Sequence, residues 1–276
     1  MSQTLKTKRK SRLRRAAVIA GSVTALTAGL AGSAFAAAPD PLPYQASAFQ
    51  DKYQPLFDYD HDGCYPSSAV DKNGHLNGGL NTVGDPGAGC RFIGRANTYV
   101  RSACDATWCA YVYTLYFEKD QGPIGGHRHD WEAVVAWQKR GQEAPSYISV
   151  SAHGGYSSKA FNTIERSGNR AHIVYHLDGG STHAFRFAKA GEQPEAVKGV
   201  WDRPALVALD KLKQSNRTAF DALWNSNWIE PGLTFGANFP IQDRDGHFQT
   251  TLTRARESVN KDLGNPIPSF NPNVAF

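Results

Sequence analysis

The sequence predicts a mainly β chain, a central β-sandwich with helices at its flanks. Three observations carry that expectation. Between residues 98 and 187, short runs of aromatic and β-branched residues follow one another, each bounded by Gly, Pro, Ser or Asn. Helical patterning is confined to the stretch after residue 201. No internal repeat, low-complexity tract or linker divides residues 37–276, which read as one domain.

Residues 1–36 precede that domain and read as a cleavable secretory leader. Lys6, Lys8, Arg9, Lys10, Arg12, Arg14 and Arg15 form a basic segment, residues 16–31 are apolar and small, and Ala34-Phe35-Ala36 is an A-x-A cleavage signal. The apolar stretch is short of the roughly 20 residues that a membrane span needs. No other stretch is a candidate span, so the mature protein is expected to be extracellular and without a transmembrane segment. The chain holds 30 basic and 25 acidic residues, and seven of the basic ones lie in the leader. The remainder carries 23 against 25, a net charge of −2. Bulk charge therefore gives no reason to expect a nucleic-acid partner or binding to anionic lipid.

Residues 37–57 lead into the domain. Residues 58–96 are rich in Gly, Asp, Asn and Pro, with Asn77-Gly78-Gly79, Gly84-Asp85-Pro86-Gly87 and Gly89, and are expected to be irregular. Loops of that length are usually functional or tied down. Cysteine supplies a tie. Cys64, Cys90, Cys104 and Cys109 lie in one stretch, and export favours disulfides. Three pairings are open; Cys64 with Cys90 and Cys104 with Cys109 is the expected one. The first would close a loop worth roughly 3–4 kcal/mol of chain entropy. No C-x-x-C pair supports a zinc site.

The expected strands are Tyr99-Val100, Ala110-Tyr111-Val112-Tyr113-Thr114-Leu115-Tyr116-Phe117, Ala133-Val134-Val135-Ala136-Trp137, Tyr147-Ile148-Ser149-Val150-Ser151-Ala152, His172-Ile173-Val174-Tyr175 and His183-Ala184-Phe185-Arg186-Phe187. Asp202-Arg203-Pro204 then predicts a helix through Lys213, with Asp as the cap, Pro in the first turn and Leu206, Val207, Leu209 and Leu212 as its apolar positions. Further helical turns are expected over residues 217–224 and 248–258.

The chemistry concentrates in Gly126-His127-Arg128-His129-Asp130-Trp131-Glu132, at the mouth of the apolar run 133–137. In a strand, side chains alternate between faces, so Asp130 and Glu132 share one face and His129 and Trp131 the other. His127 joins the carboxylates only if the backbone bends, and Gly125-Gly126 just before it permits a bend. The preceding strand ends at Glu118-Lys119-Asp120, and a hairpin returning through residues 121–126 brings Asp120 close to His127. Asp120, His127, Asp130 and Glu132 then form a set of three carboxylates and one imidazole. Such hard ligands favour Mg²⁺, Ca²⁺ or Mn²⁺ over zinc. Without a cation the carboxylates would repel strongly. A zinc hydrolase of the H-x-H-x-D-H type does not fit, because Asp130 follows His129 directly and no further His comes after it. G-x-S-x-G, H-E-x-x-H and P-loop motifs are absent from the sequence. A second acidic run, with Asp58, Asp60 and Asp62 before Gly63, has the spacing that opens an EF-hand loop. Position 12 is Ala69 rather than Glu, which leaves at most a partial calcium site.

Residues 126–132 resemble the heptapeptide signature of the necrosis- and ethylene-inducing peptide-like proteins, the NLP cytolysins. The resemblance extends to Gly63-Cys64-Tyr65-Pro66 with Ala69-Val70, Gly78-Gly79-Leu80 before Gly89-Cys90, Tyr116-Phe117-Glu118-Lys119-Asp120, Ser151-Ala152-His153-Gly154-Gly155-Tyr156 and Phe235-Gly236-Ala237-Asn238-Phe239-Pro240. It covers roughly residues 45–258. It implies a β-sandwich flanked by helices, similar to actinoporins and fungal lectins. It implies a divalent cation in an acidic cavity held by Asp120, His127, Asp130 and Glu132, with His129 and His153 as candidate contacts to a head group. It implies a secreted monomer without enzymatic turnover. Such a protein binds the glycosylated inositol phosphorylceramide sphingolipids of plant plasma membranes and causes membrane damage, necrosis and immune responses. The four cysteines resemble the family's second type, which adds a calcium-binding region, and that bears on Asp58, Asp60 and Asp62.

Three departures bear on toxicity more than on fold. The loop 121–126 is slightly shortened, the first-disulfide segment reads Tyr65-Pro66-Ser67-Ser68, and Asp178-Gly179-Gly180-Ser181-Thr182 has no membrane-docking aromatic residue. The alternatives are a non-cytolytic glycan or glycolipid binder, and a metal-dependent hydrolase with paired carboxylates as acid and base.

Overall fold

A computed structural model of the chain describes residues 38–180, 182–228 and 238–271. The leader at residues 1–36 lies outside them, as do residues 235–237 of the last family-like segment. In chain order the strands are β1 (Leu56–Tyr59), β2 (Asn97–Cys104), β3 (Trp108–Gly122), β4 (Gly125–Lys139), β5 (Tyr147–Ala152), β6 (Gly155–Ala160), β7 (Arg166–Ser167), β8 (Arg170–Asp178), β9 (Thr182–Phe187) and β10 (Ala205–Ala208). The helices are α1 (Ala48–Tyr53), α2 (Leu209–Ser215), α3 (Arg217–Asn225) and α4 (His247–Leu263).

Six strands form one sheet in the order β10-β2-β3-β4-β5-β6, antiparallel except where β10 joins β2. The second sheet has the order β1-β8-β7, with β9 also paired to β8. The large sheet is covered on both faces. Tyr113, Leu115, Phe117, Val134 and Ala136 pack against Phe57, Ile173, Tyr175 and Phe185 of the small sheet. The Phe117 and Tyr175 rings stack with centroids 3.7 Å apart. Val112, Tyr116, Trp131, Ala133, Val135 and Trp137 face the other way, in one core with Leu212, Phe220 and Leu252 of the helices. A sheet buried on both sides favours apolar residues at nearly every position, which is why residues 108–117 of β3, Thr114 apart, and 133–137 of β4 read as apolar runs. The mainly β sandwich with flanking helices is therefore the observed fold class.

Both expected disulfides are formed, Cys64–Cys90 and Cys104–Cys109. The second bridges directly opposed residues of β2 and β3.

One element departs from expectation. Residues 205–208 form β10, parallel to β2, and the helix starts only at Leu209. Asp202 does not cap it. Its carboxylate accepts from the Tyr59 hydroxyl at 2.9 Å, and its backbone pairs with Phe57. A short apolar run with a free sheet edge beside it gains more from pairing there than from one more helical turn. The expected helices at 217–224 and 248–258 are present and somewhat longer. α1, within the lead-in, carries a capping box: the Ser47 side chain and that of Gln50 bond reciprocally to backbone N–H groups.

Candidate metal centre

The β3–β4 hairpin sets the site. Its register places Asp120 opposite His127, Phe117 opposite Asp130 and Leu115 opposite Glu132. Gly126 allows the strands this close, since a Cβ there would lie 2.2 Å from the Asp120 carbonyl oxygen. The decisive bend is at His129, which has φ +60°. The ladder skips the pair Glu118 and His129, and the Glu118 carbonyl instead accepts from the Leu80 N–H at 2.8 Å. This left-handed residue breaks the strict alternation of faces. Ligand atoms of Asp120, His127 and Asp130 consequently lie within 4.8 Å of one another, the only such group of three found among the described residues.

Each of these ligands is held. His127 Nδ1 is 2.8 Å from the His129 carbonyl oxygen. A carbonyl only accepts, so Nδ1 carries the proton, and in neutral His127 the Nε2 lone pair is free, 3.9 Å from Asp120. Asp120 is buried and accepts from the His183 backbone N–H at 2.8 and 2.9 Å and from His183 Nδ1 at 2.6 Å. Asp130 accepts from the Tyr175 hydroxyl at 3.0 Å. Glu132 is buried beside them and is hydrogen-bonded by Ser151 Oγ, which accepts in turn from the Ala133 N–H at 2.7 Å. Glu132 stands outside the group of three.

The electrostatics are those of crowded, desolvated acids. Burial, then the charge of Asp120, pushes the Asp130 carboxyl up to about 6. Burial, then Asp130, pushes Glu132 well above the usual range. Burial works to lower the His127 pKa, but Asp130 and Asp120 overcome it and the net direction is up. Such a set fits a divalent cation: it offers oxygen-rich donors in a buried place where positive charge relieves repulsion.

The centre lies in a cavity of about 670 Å³, lined by Asp120, His127, Asp130 and Glu132 and also by Tyr156, Asn238, Thr251 and Arg254. His153, half-exposed, lines it too, and is bonded to Asp178 at 3.1 Å and Thr182 at 3.2 Å. His129 is not part of the lining. Its Nδ1 is 2.6 Å from the Tyr116 hydroxyl, and its ring meets Trp228 edge-on, on the helix side of the sheet.

Asp58, Asp60 and Asp62 leave their segment toward three different partners. Asp58 accepts from the backbone N–H groups of Glu195 and Ala196 at 2.9–3.0 Å. Asp60 pairs with Arg186 at 3.5 Å. Asp62 meets His183 Nε2 and the Leu177 N–H, both at 3.2 Å. Among the described residues they are not gathered into a group of three ligands.

His183, Tyr175 and Ser151 are site residues that the motif search missed. The signal for His183 was its position in period two with Phe185 and Phe187, on the buried face of β9. Burial works to lower its pKa, but hydrogen bonds to Asp120 and Asp62 carry it up to about 9.

The chain as a whole is similar to known proteins. It is 36% identical over 201 residues to NLP effector protein 10 of Phytophthora capsici, covering 70% of this chain and 76% of that one. The crystal structure of the non-toxic HaNLP3 protein superposes with a TM-score of 0.63 at 28% identity, covering 80% of this chain and 98% of that one. NLPPya in complex with glucosamine gives a TM-score of 0.62 at 29% identity, covering 80% of this chain and 96% of that one. The pattern of the Necrosis inducing protein (NPP1) family matches residues 47–255, a span that includes both disulfides, the hairpin and the cavity. With sequence and fold in agreement along that span, this chain belongs to the NPP1 family of necrosis-inducing proteins.

Proposed function

We propose that this chain is a secreted, monomeric, cation-dependent cytolysin. In this reading it binds the sugar head groups of glycosylated inositol phosphorylceramides and damages plant plasma membranes, causing necrosis and immune responses. The observation that carries the reading is the meeting of Asp120, His127 and Asp130 within 4.8 Å in a cavity of about 670 Å³. That volume suits a small polar ligand, and NLPPya, with a similar fold, takes glucosamine. A bound Mg²⁺, Ca²⁺ or Mn²⁺ would supply a Lewis-acidic centre for sugar hydroxyls. Asp120, His127 and Asp130 would hold it, and Glu132 would stand ready as a further acceptor. Ser151 and Tyr175 orient two of the carboxylates. No covalent step is needed. No helix among the described residues is long and apolar enough to cross a membrane.

The test is dye release from vesicles with and without glycosylated inositol phosphorylceramide, in CaCl₂, MgCl₂ or EDTA, with the lipid analysed afterwards. Release that needs both lipid and cation, with the head group intact, is the expected result. Cleaved head group would replace this reading with a hydrolase. A second reading is a non-cytolytic glycan binder. It is favoured by the aromatic-free segment 178–182 and by the likeness to a non-toxic protein. Binding to the lipid without release would establish it.

A further inference from the structure

We propose that Asp62 is a positioning residue for the cation centre, acting through His183 to hold Asp120 toward His127 and Asp130. The inference rests on the cation reading of the cavity proposed above. Asp120 takes three hydrogen bonds from one residue, His183, through its backbone N–H and its ring Nδ1. The opposite ring nitrogen, Nε2, meets Asp62 Oδ1 at 3.2 Å. The other oxygen of Asp62 accepts from the Leu177 N–H at 3.2 Å, so this carboxylate is itself fixed from two sides. A histidine ring rotates easily about its last bond. Pinning Nε2 aims Nδ1, and Nδ1 aims the ligand. The His183 ring also stacks on Tyr175 with centroids 5.0 Å apart, and the Tyr175 hydroxyl donates to Asp130. One stack thus orients two carboxylates of the centre.

The segment carrying Asp62 is built to reach this ring. A Cβ on Gly63 would lie 2.5 Å from His183 Nε2 and within 2.9 Å of two ring carbons. Only glycine lets the backbone lie so close. The next residue, Cys64, is bonded to Cys90, and Arg91 donates to the Gly63 carbonyl at 3.0 Å and to the His61 carbonyl at 2.7 Å. Residues 61–64 are therefore clamped where they touch His183. Partners one step beyond the ligands commonly set a metal's affinity by fixing ligand orientation. Asp60, two residues away on the same segment, pairs with Arg186 instead and supplies the control.

The experiment is calorimetric titration of CaCl₂ and of MgCl₂ into wild type, Asp62→Ala, Asp62→Leu and Asp60→Ala, beside cation-free melting of each. Asp62→Ala should weaken cation binding about ten- to a hundredfold. Asp62→Leu is the near-isosteric variant, kept for the case that alanine does not fold. Its side chain offers an acceptor to neither the Leu177 N–H nor His183 Nε2, so about tenfold weaker binding is expected. Asp60→Ala should bind as wild type does, whatever its melting temperature. A folded Asp62 variant that binds as tightly as wild type overturns the proposal. So does Asp60→Ala weakening the cation as much as Asp62→Ala, because loop packing rather than the His183 contact would then be at work. Wild type that takes neither cation overturns the cation reading itself, and this inference with it.

Discussion

The Nδ1–H of His127 donates to the carbonyl oxygen of His129 at 2.8 Å, and His129 has φ +60°. In a regular strand, residues 127 and 130 would point to opposite faces. The left-handed residue between them resets that phase, and the site depends on it. His129→Gly should keep cation binding, because glycine adopts positive φ freely, although contacts to Tyr116 and Trp228 are lost. His129→Val should lose both, since a β-branched residue at this φ costs about 1–3 kcal/mol. Melting temperature and calorimetric cation affinity check the pair. Valine binding cation as tightly as wild type would show that the bend is dispensable.

Protons should compete with the cation. Asp130 has its pKa raised from 3.8 to about 6, by burial and then by Asp120. The folded, cation-free protein thus holds this proton more tightly than the unfolded chain does. The stability it contributes is complete below pH 3.8 and is lost as pH rises through about 6. His129, lowered to about 4 by burial, Arg128 and His127, acts with the opposite sign: its contribution is present above 6.5 and is lost as pH falls through about 4. Melting curves would mix these with His183 and Asp60, whose pKa values are also raised, so cation affinity is the more direct readout, and the raised His127 acts there in the same direction as Asp130. Affinity at pH 5 should be roughly tenfold below that at pH 7, as Asp130 is mostly protonated at the lower pH. An affinity that does not change between pH 5 and pH 7 would contradict the placement of Asp130 among the ligands.

Function and stability should part company at the same residue. Asp130→Asn removes a charge that burial and Asp120 both disfavour. It should raise the cation-free stability at pH 7.5 by about 1–3 kcal/mol while abolishing lysis. Glu132→Ala should also abolish lysis in a protein that remains folded. Urea unfolding and vesicle leakage, measured on each variant, decide. Full leakage from a protein carrying both Asp130→Asn and Glu132→Ala would remove these acids from the site.

The sequence made the acid-rich hairpin legible because its ligands lie within one local unit. Asp120 and His127 are joined by a short turn, and strand period two puts Asp130 and Glu132 on one face. The bend itself was expected at Gly125-Gly126, since a glycine pair is the visible signal for an unusual backbone. The bend at His129 has no composition signal; beside it the Glu118 carbonyl bonds the Leu80 N–H, a contact from a distant loop that the local sequence does not announce. His183 and Tyr175 were illegible as site residues for a related reason: β8 and β9 belong to the other sheet, and only sandwich packing brings them to Asp120 and Asp130. For residues 205–208 helix signals were outweighed by a partner strand more than 100 residues earlier in the chain. The acidic spacing at Asp58, Asp60 and Asp62 suggested a shared ligand, whereas tertiary packing gives each its own partner.

The two disulfides should differ in what their loss does. In the chain-entropy picture, closing the 26-residue separation of Cys64–Cys90 contributes about 3–4 kcal/mol, and the 5-residue separation of Cys104–Cys109 about 2 kcal/mol. The paired replacement Cys64→Ser with Cys90→Ser should therefore lower stability more than Cys104→Ser with Cys109→Ser, as read by urea unfolding. Their effects on the site should diverge further. Cys64 adjoins Gly63, whose backbone lies against the His183 ring. Cys104 and Cys109 join β2 to β3 at the end of β3 away from Asp120. Cation affinity should fall in the first pair and hold in the second, at a temperature where both are folded. Equal affinities would mean that the first disulfide serves stability alone and that the loop finds His183 without it.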